Sequence, residues 1–267
     1  MVREPQIPPA ALDAVDDSGD TRGWDATVVW SLVPERVTWR LTSQAGVVRY
    51  LKVSPLGTDF SLAAERDRMR WAETHLPVPH VLRYGADAQH EWLLTAAIDG
   101  TSAVDASLRA EPARLVPLLG QGLRRFHSVP WQDCPFDNRL DVALPAVRKR
   151  LETGRADPEW VIAAHGHRTA RAALEFLERE RPEHEDIVVC HGDYCVPNIL
   201  IRDWRVAGFV DLGALGVADR WYDLAIALWS VTRNMGPGWE DLFLESYGIA
   251  GDPARIAYYH LLYDMQP

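Results

Sequence analysis

Residues 187–213 limit the possible folds of this chain more than any other segment. They open with Ile187-Val188-Val189-Cys190, an apolar run with the length and β-branched content of a buried strand. A polar loop follows, His191-Gly192-Asp193-Tyr194-Cys195-Val196-Pro197-Asn198, punctuated by a glycine and a proline. Strand signals at 199–201 and 206–210 then form a hairpin, and Asp211-Leu212-Gly213 closes the unit. Two carboxylates and one amide are thereby held at strand ends and turns, where a fold can aim them.

The residue types and spacing point to a chemistry. An Asp, an Asn five residues later and an Asp opening an Asp-x-Gly tripeptide are the catalytic and metal-binding pattern of protein kinases. Phosphoryl transfer asks for positioning and charge neutralisation more than for covalent help. One carboxylate must accept or orient the proton of the attacking hydroxyl, and Asp193 is placed for that. Mg2+ is a hard ion that takes oxygen ligands, which Asn198 and Asp211 supply. Three polar turn residues can occur without any chemistry. Their combination between strand signals is rarer by chance and favours the catalytic reading.

The rest of the chain divides in two. The first 25 residues are rich in Pro, Asp and Gly and are expected to be loosely ordered apart from a short helix. Strands are expected at 28–30, 37–41, 47–53, 81–84 and 91–97, with one helix over 61–75. Beyond Asp99-Gly100 helical patterns dominate, at 112–127, 169–180, 221–232, 239–247 and 253–262. The expected class is α+β, with a sheet-rich part over 1–97 and a mainly helical part over 98–267.

Charge and cysteine usage exclude some partners. A net charge of -10 and a pI of about 5.4 disfavour nucleic acid. Three cysteines suit a reducing compartment, and zinc is disfavoured because Cys190 and Cys195, flanking His191, lack the four-ligand spacing of a zinc site. There is no secretory apolar core at the start and no run of roughly 20 apolar residues for a bilayer. A soluble, cytoplasmic protein without membrane contact is expected. Nothing in the sequence sets an oligomeric state.

Several stretches resemble the aminoglycoside phosphotransferase family, and its 3′-phosphotransferases most of all: VVCHGDYCVPNIL, GFVDLGALGVADRWYDLAIAL, LPVPHVLRYG, FHSVPWQDCPFDNRLD and YGIAGDPARIAYYHLL. The resemblance implies a two-lobed protein-kinase-like fold. It also implies transfer of the γ-phosphoryl group of ATP or GTP, with Mg2+, to a hydroxyl of a small-molecule antibiotic. By that resemblance Lys52 pairs with the α and β phosphates and Glu65 holds Lys52. Asp193 is the base or orienter, and Asn198 and Asp211 are magnesium ligands. His191 holds the loop, while Asp219 and Asp223 brace or cap. Thr95, Ala96 and Ile98 lie in the stretch WLLTAAIDG, which aligns with the adenine-contacting strand.

The chain departs from the family in three places. In the hinge Thr95 stands where a larger residue is common, which would open a pocket behind the base and leaves GTP as an alternative to ATP. The phosphate-covering stretch 31–37 has no glycine, so Arg36 is expected to supply charge there. In the acceptor region Tyr263 occupies one of two acid positions and Asp264 the other. Ala214 stands where an Arg is usual, and Trp229, Thr232 and Arg233 replace more polar or acidic residues. Fewer acids and more aromatic surface favour a less cationic ligand. Equally, Trp229 could pack in the core and another acid could substitute. Three readings stay open: an antibiotic-modifying O-phosphotransferase giving resistance, a phosphotransferase for a less cationic product such as a nucleoside antibiotic, and a catalytically silent binder.

Overall fold

The computed structural model describes residues 6–13, 15, 23–33, 36–154 and 165–266. They form two compact units. The described residues up to Asp99, joined by Gly208–Gly213, make the first; those from Gly100 to Ala207 and from Ala214 onward make the second.

The first unit contains α1 (Pro9–Leu12), β1 (Trp24–Val33), β2 (Arg36–Ser43), β3 (Val48–Pro55), α2 (Leu62–Ala72), β4 (Val81–Ala86) and β5 (His90–Ala96). The five strands form an antiparallel sheet in the order β1-β2-β3-β5-β4. Alternation sets its inner face: Val37, Trp39 and Leu41 of β2 and Leu51 and Val53 of β3 are buried with Ala11, Val15, Trp92 and Leu94. On α2 the buried residues are Leu62, Glu65, Met69 and Ala72, a helical stripe that includes one carboxylate.

The start of α2 is over-determined. Ser61 caps it by accepting from Ala64 N at 3.3 Å. The buried Glu91 carboxylate of β5 accepts from Leu62 N at 2.8 Å and Ala63 N at 3.1 Å, a favourable place for negative charge. Gly85 faces Trp92 so closely that an added Cβ would sit 2.6 Å from the indole. Of the N-terminal expectation, the short helix is seen as α1; residues 1–5, 14 and 16–22 lie outside the described residues.

The second unit contains β6 (Thr101–Ser102), α3 (Ala106–Arg109), α4 (Pro112–Phe126), α5 (Leu140–Glu152) and α6 (Ala170–Arg179). There follow β7 (Ile187–Cys190), β8 (Ile199–Arg202), β9 (Arg205–Phe209, whose last two residues belong to the first unit), β10 (Gly216–Asp219), α7 (Arg220–Met235), α8 (Glu240–Tyr247) and α9 (Pro253–Asp264). β7 pairs with β10, and β6, β8 and β9 form a small separate sheet. The α+β class expected from the sequence is the one observed. α5 and β10 were not expected. In α5 the stripe Leu140, Ala143, Leu144 and Val147 is interrupted by Pro145, and β10 is only four residues long. Among the described residues no helix is long and apolar enough to cross a membrane.

The chain leaves the first unit after Asp99 and returns to it once. Phe209 N donates to Pro77 O at 3.0 Å, and Gly208 allows a close approach, since a Cβ there would lie 2.5 Å from Ile98 Cδ1 and 2.8 Å from Pro77 O. This return delivers Asp211 to the first unit.

Candidate active site

In the first unit Lys52 is the centre. It lies on β3 opposite Thr38 of β2 and Leu93 of β5. Its Nζ donates to Glu65 Oε1 at 2.6 Å and to Asp211 Oδ1 at 2.9 Å. The Glu65 side chain is 7 % exposed and that of Asp211 51 %. Burial alone would lower the Lys52 pKa, but the charges of Asp211 and Glu65 and their hydrogen bonds outweigh it and hold the ammonium above its ordinary value. Asp211 has φ of 65°, a left-handed conformation that Asp tolerates better than most residues.

The other expected nucleotide residues fall around this cluster or on β5. The Arg36 guanidinium lies 3.6 Å from the Phe60 ring centroid and 5.7 Å from that of Trp30. Burial lowers its pKa, opposed by the charges of Asp211 and Glu65. Residues 34–35 of the glycine-free stretch lie outside the described residues. Thr95 is buried on β5, opposite Tyr50 and Val81. Ala96 donates its N–H to His80 O at 2.9 Å, and Ile98 packs on Gly208.

In the second unit Asp193 is held from several sides. Asn198 Nδ2 donates to Asp193 Oδ2 at 2.9 Å and to the Asp193 carbonyl at 2.9 Å, which explains the five-residue spacing as a local clamp. Asp193 N donates to His191 Nδ1 at 3.2 Å, so His191, fully buried, holds the loop as expected. Tyr263 donates its hydroxyl to Asp193 Oδ1 at 2.8 Å. Tyr263, expected at the acceptor, also contacts the expected base.

The loop rests on Asp223, inside α7 and fully buried. It accepts from His191 N at 2.6 Å, Gly192 N at 2.8 Å and His127 Nε2 at 3.0 Å. His127 Nδ1 lies 2.8 Å from the Tyr247 hydroxyl. Asp219 caps α7 by accepting from Trp221 N at 2.9 Å and also takes Arg255 Nη1 at 2.8 Å and Tyr259 Oη at 3.0 Å. Both aspartates therefore brace and cap, as expected. Cys190 lies beside His127 and Asp223, but its thiol donates to Asp219 O at 3.3 Å and burial pushes its pKa well up. These are the surroundings of a packed thiol.

The acceptor-side residues separate in character. Trp229 is 39 % exposed, so it does not pack in the core; the Arg233 guanidinium lies 5.4 Å from its ring and the His260 ring 6.1 Å away. Thr232 Oγ1 bonds Leu228 O and Glu240 Oε1. Asp264 pairs with His165 Nε2 at 2.5 Å, with His260 Nε2 at 3.6 Å and only 6 % of its side chain exposed. Ala214 offers its carbonyl to Asn138 Nδ2 at 2.8 Å.

Sequence reasoning missed Glu91, His127 and Asn138. The signal for the last two lay in the stretch FHSVPWQDCPFDNRLD, which was recognised whole and not residue by residue.

Comparison with known proteins gives the chain a family. Residues 25–259 match the model of the phosphotransferase enzyme family. An aminoglycoside 3'-phosphotransferase from Streptomyces fradiae is 37% identical over 80% of this chain and 84% of its own length. The crystal structure of an aminoglycoside-3'-phosphotransferase of type VIII superposes with a TM-score of 0.84 at 32% identity, over 96% of this chain and 98% of that one. An aminoglycoside phosphotransferase from Streptomyces rimosus, in complex with ADP and streptomycin, gives 0.75 at 30% identity over 96% and 97%. A lysine bridging two carboxylates and an aspartate clamped by the asparagine five residues on have here the fold that uses them, and the chain belongs to the phosphotransferase enzyme family as a nucleotide-dependent O-phosphotransferase.

Proposed function

We propose that the enzyme transfers the γ-phosphoryl group of ATP or GTP to a hydroxyl of an aminoglycoside or related glycosylated antibiotic and so gives resistance to it. The observation that carries this reading is Lys52 bonded to both Glu65 and Asp211, residues 13 and 159 positions away. An ammonium held charged by two carboxylates is suited to a polyphosphate. The relatives' names, and the ADP and streptomycin in the Streptomyces rimosus structure, support the two substrates.

In this reading Lys52 neutralises the α and β phosphates, Glu65 keeps Lys52 in place, and Arg36 adds positive charge. Thr95, Ala96 and Ile98 take the base through groups other than the Ala96 N–H, which already serves His80. Asp193 accepts the proton of the acceptor hydroxyl as that oxygen bonds the γ-phosphorus and the bond to the departing diphosphate breaks. Asp211 and Asn198 carry the oxygen donors that a hard divalent cation takes, so they fit Mg2+, which would neutralise charge on the phosphates when bound. Added phosphate places bulk and negative charge on a hydroxyl that the antibiotic needs.

A second reading concerns the acceptor. The candidate acceptor residues are Asp264, Tyr263, Trp229 and Arg233. Asp264 is paired with His165, Tyr263 with Asp193, and the exposed Trp229 lies beside Arg233. That arrangement favours a less cationic acceptor, such as a nucleoside antibiotic, over a polycation.

The test is triphosphate consumption with ATP and with GTP against aminoglycosides, nucleoside antibiotics and choline, with Asp193→Asn as the blank. Turnover with an antibiotic that Asp193→Asn lowers by about 10²- to 10⁴-fold is expected. Nucleotide binding without turnover on any acceptor would sink the proposal.

A further inference from the structure

A base that serves an alcohol needs a carboxylate oxygen for the alcohol's hydrogen. Asp193 has two such oxygens. Oδ2 is taken by Asn198 Nδ2 at 2.9 Å, and that amide is anchored again on the Asp193 carbonyl. Oδ1 takes the hydroxyl hydrogen of Tyr263 at 2.8 Å. The Cys195 thiol also hydrogen-bonds this carboxylate, but a thiol is a weak donor. Of the roughly four acceptor sites of the carboxylate, three thus face protein donors, and one of these donors is a hydroxyl, the same group an acceptor brings.

Tyr263 is held in that position. It lies in the last turn of α9, and its ring packs 6.1 Å from that of Tyr222. Tyr222 in turn donates its hydroxyl to Gln266 Oε1 at 2.6 Å, two residues past the end of α9. Thus α7, through Tyr222, steadies Tyr263 and the chain just past it. Neither the base nor the phenol has to reorganise to meet the other.

Water is the competing donor. A water on Asp193 Oδ1 could lose its proton to the carboxylate just as an alcohol does, and the product would be hydrolysed triphosphate. Enzymes that transfer groups to alcohols suppress this side reaction by excluding water until the acceptor arrives. A phenol fixed to a helix does so without any closing lid, because it fills the hydrogen-bonding position itself.

We infer that Tyr263 is a positioning residue that occupies the acceptor's hydrogen-bonding position on Asp193, keeps water from it while no acceptor is bound, and yields it to the acceptor hydroxyl. The inference rests on the proposed transfer to an alcohol. It implies that acceptor binding displaces one hydrogen bond to a charged group, which raises the acceptor KM and lowers futile hydrolysis together.

The experiment compares triphosphate hydrolysis without acceptor, and transfer with the best acceptor found, in the wild type, Tyr263→Phe, Asp193→Asn and the double variant. Tyr263→Phe is expected to raise acceptor-free hydrolysis by about tenfold or more, the scale of one hydrogen bond to a charged group, and to lower the acceptor KM. The double variant is expected to fall back to the Asp193→Asn rate. If Tyr263→Phe does not fold by circular dichroism, Tyr263→Leu is read in the same way. Acceptor-free hydrolysis that stays at the wild-type rate in a folded variant overturns the inference, as does a rise that Asp193→Asn does not remove. Phosphate incorporated at Tyr263 overturns it too, since the phenol would then be an acceptor. The transfer reading fails separately, if wild-type turnover is indifferent to Asp193→Asn.

Discussion

Lys52 Nζ lies 2.9 Å from Asp211 Oδ1, across 159 residues of chain, while the same ammonium holds Glu65 at 2.6 Å. The two partners differ in exposure: Glu65 is nearly buried and Asp211 is half exposed. In the proposed reading triphosphate would compete with Asp211 for Lys52, and Glu65 would be the partner that stays. Lys52→Met should raise the KM for triphosphate about 10- to 100-fold, the loss of a charge-assisted contact. Lys52→Arg should not restore it, because a planar fork cannot replace a compact ammonium between two carboxylates. Initial rates against triphosphate concentration decide this. An unchanged KM in Lys52→Met would remove Lys52 from the nucleotide site.

Asp223 carries the loop that carries Asp193. With no exposed surface, it satisfies two backbone N–H groups and one imidazole. Asp223→Ala strands all three, at about 3 kcal/mol or more of stability. Asp223→Asn keeps one accepting oxygen and should lie between. In both, kcat should fall by a larger factor than acceptor KM rises, because the loop and not the acceptor is disturbed. Chemical denaturation with parallel kinetics checks this. Full kcat in a destabilised Asp223→Asn would show that the bracing serves the fold alone.

How far the sequence foretold these contacts depends on the distance between partners. Asn198 and Asp193 are five residues apart, and the spacing marked both as a functional pair, though Asn198 was read as a metal ligand and not as the clamp it forms on Asp193. Lys52 and Glu65 were read from the family resemblance, supported by their order on a strand and then a helix. Glu91 capping α2 was not, since its partners lie 28 and 29 residues away and nothing local marks a strand glutamate as a cap. Tyr263 was read as an acceptor contact, and its bond to Asp193 was not foreseen, because Asp193 is 70 residues away and the substitution of an acid by a phenol gives no direction. α5 was hidden by Pro145, whereas α7 was expected over 221–232 and runs over Arg220–Met235.

Gly192 should not tolerate a side chain. Its φ is 84°, and a Cβ there would lie 2.1 Å from Ala214 O, a carbonyl already bound by Asn138. Gly192→Ala must move either the loop bearing Asp193 or the backbone beside Asp211-Leu212-Gly213. An activity loss of at least about a hundredfold is expected, as for a catalytic group misplaced by an ångström. Asn138→Ala frees the carbonyl but not the backbone conformation, so the double variant should recover little. Recovery to wild-type activity in the double variant would mean that the clash, and not the left-handed conformation, is what forbids alanine.

Alkaline pH should unfold the second unit as its phenols ionise. Burial raises the pKa of Tyr194, Tyr222, Tyr258, Tyr259 and Tyr263, and it pushes Tyr247 up to about 12 against the opposing charge of Arg220. A phenol raised in the folded state keeps its proton where the unfolded chain has lost it. Above pH 10 the folded state thus binds more protons, and stability that is complete below pH 10 falls as pH rises toward 12. Each such phenol contributes a slope of about 1.4 kcal/mol per pH unit. Phenolate absorbance at 295 nm should lag behind that of the protein in guanidinium and then rise together with the loss of far-ultraviolet dichroism. Tyr247→Phe removes one phenol from this linkage and should make the pH dependence of stability shallower by that amount. Phenolate absorbance that rises near pH 10 to its full value, with the dichroism still native, would contradict the burial of these rings.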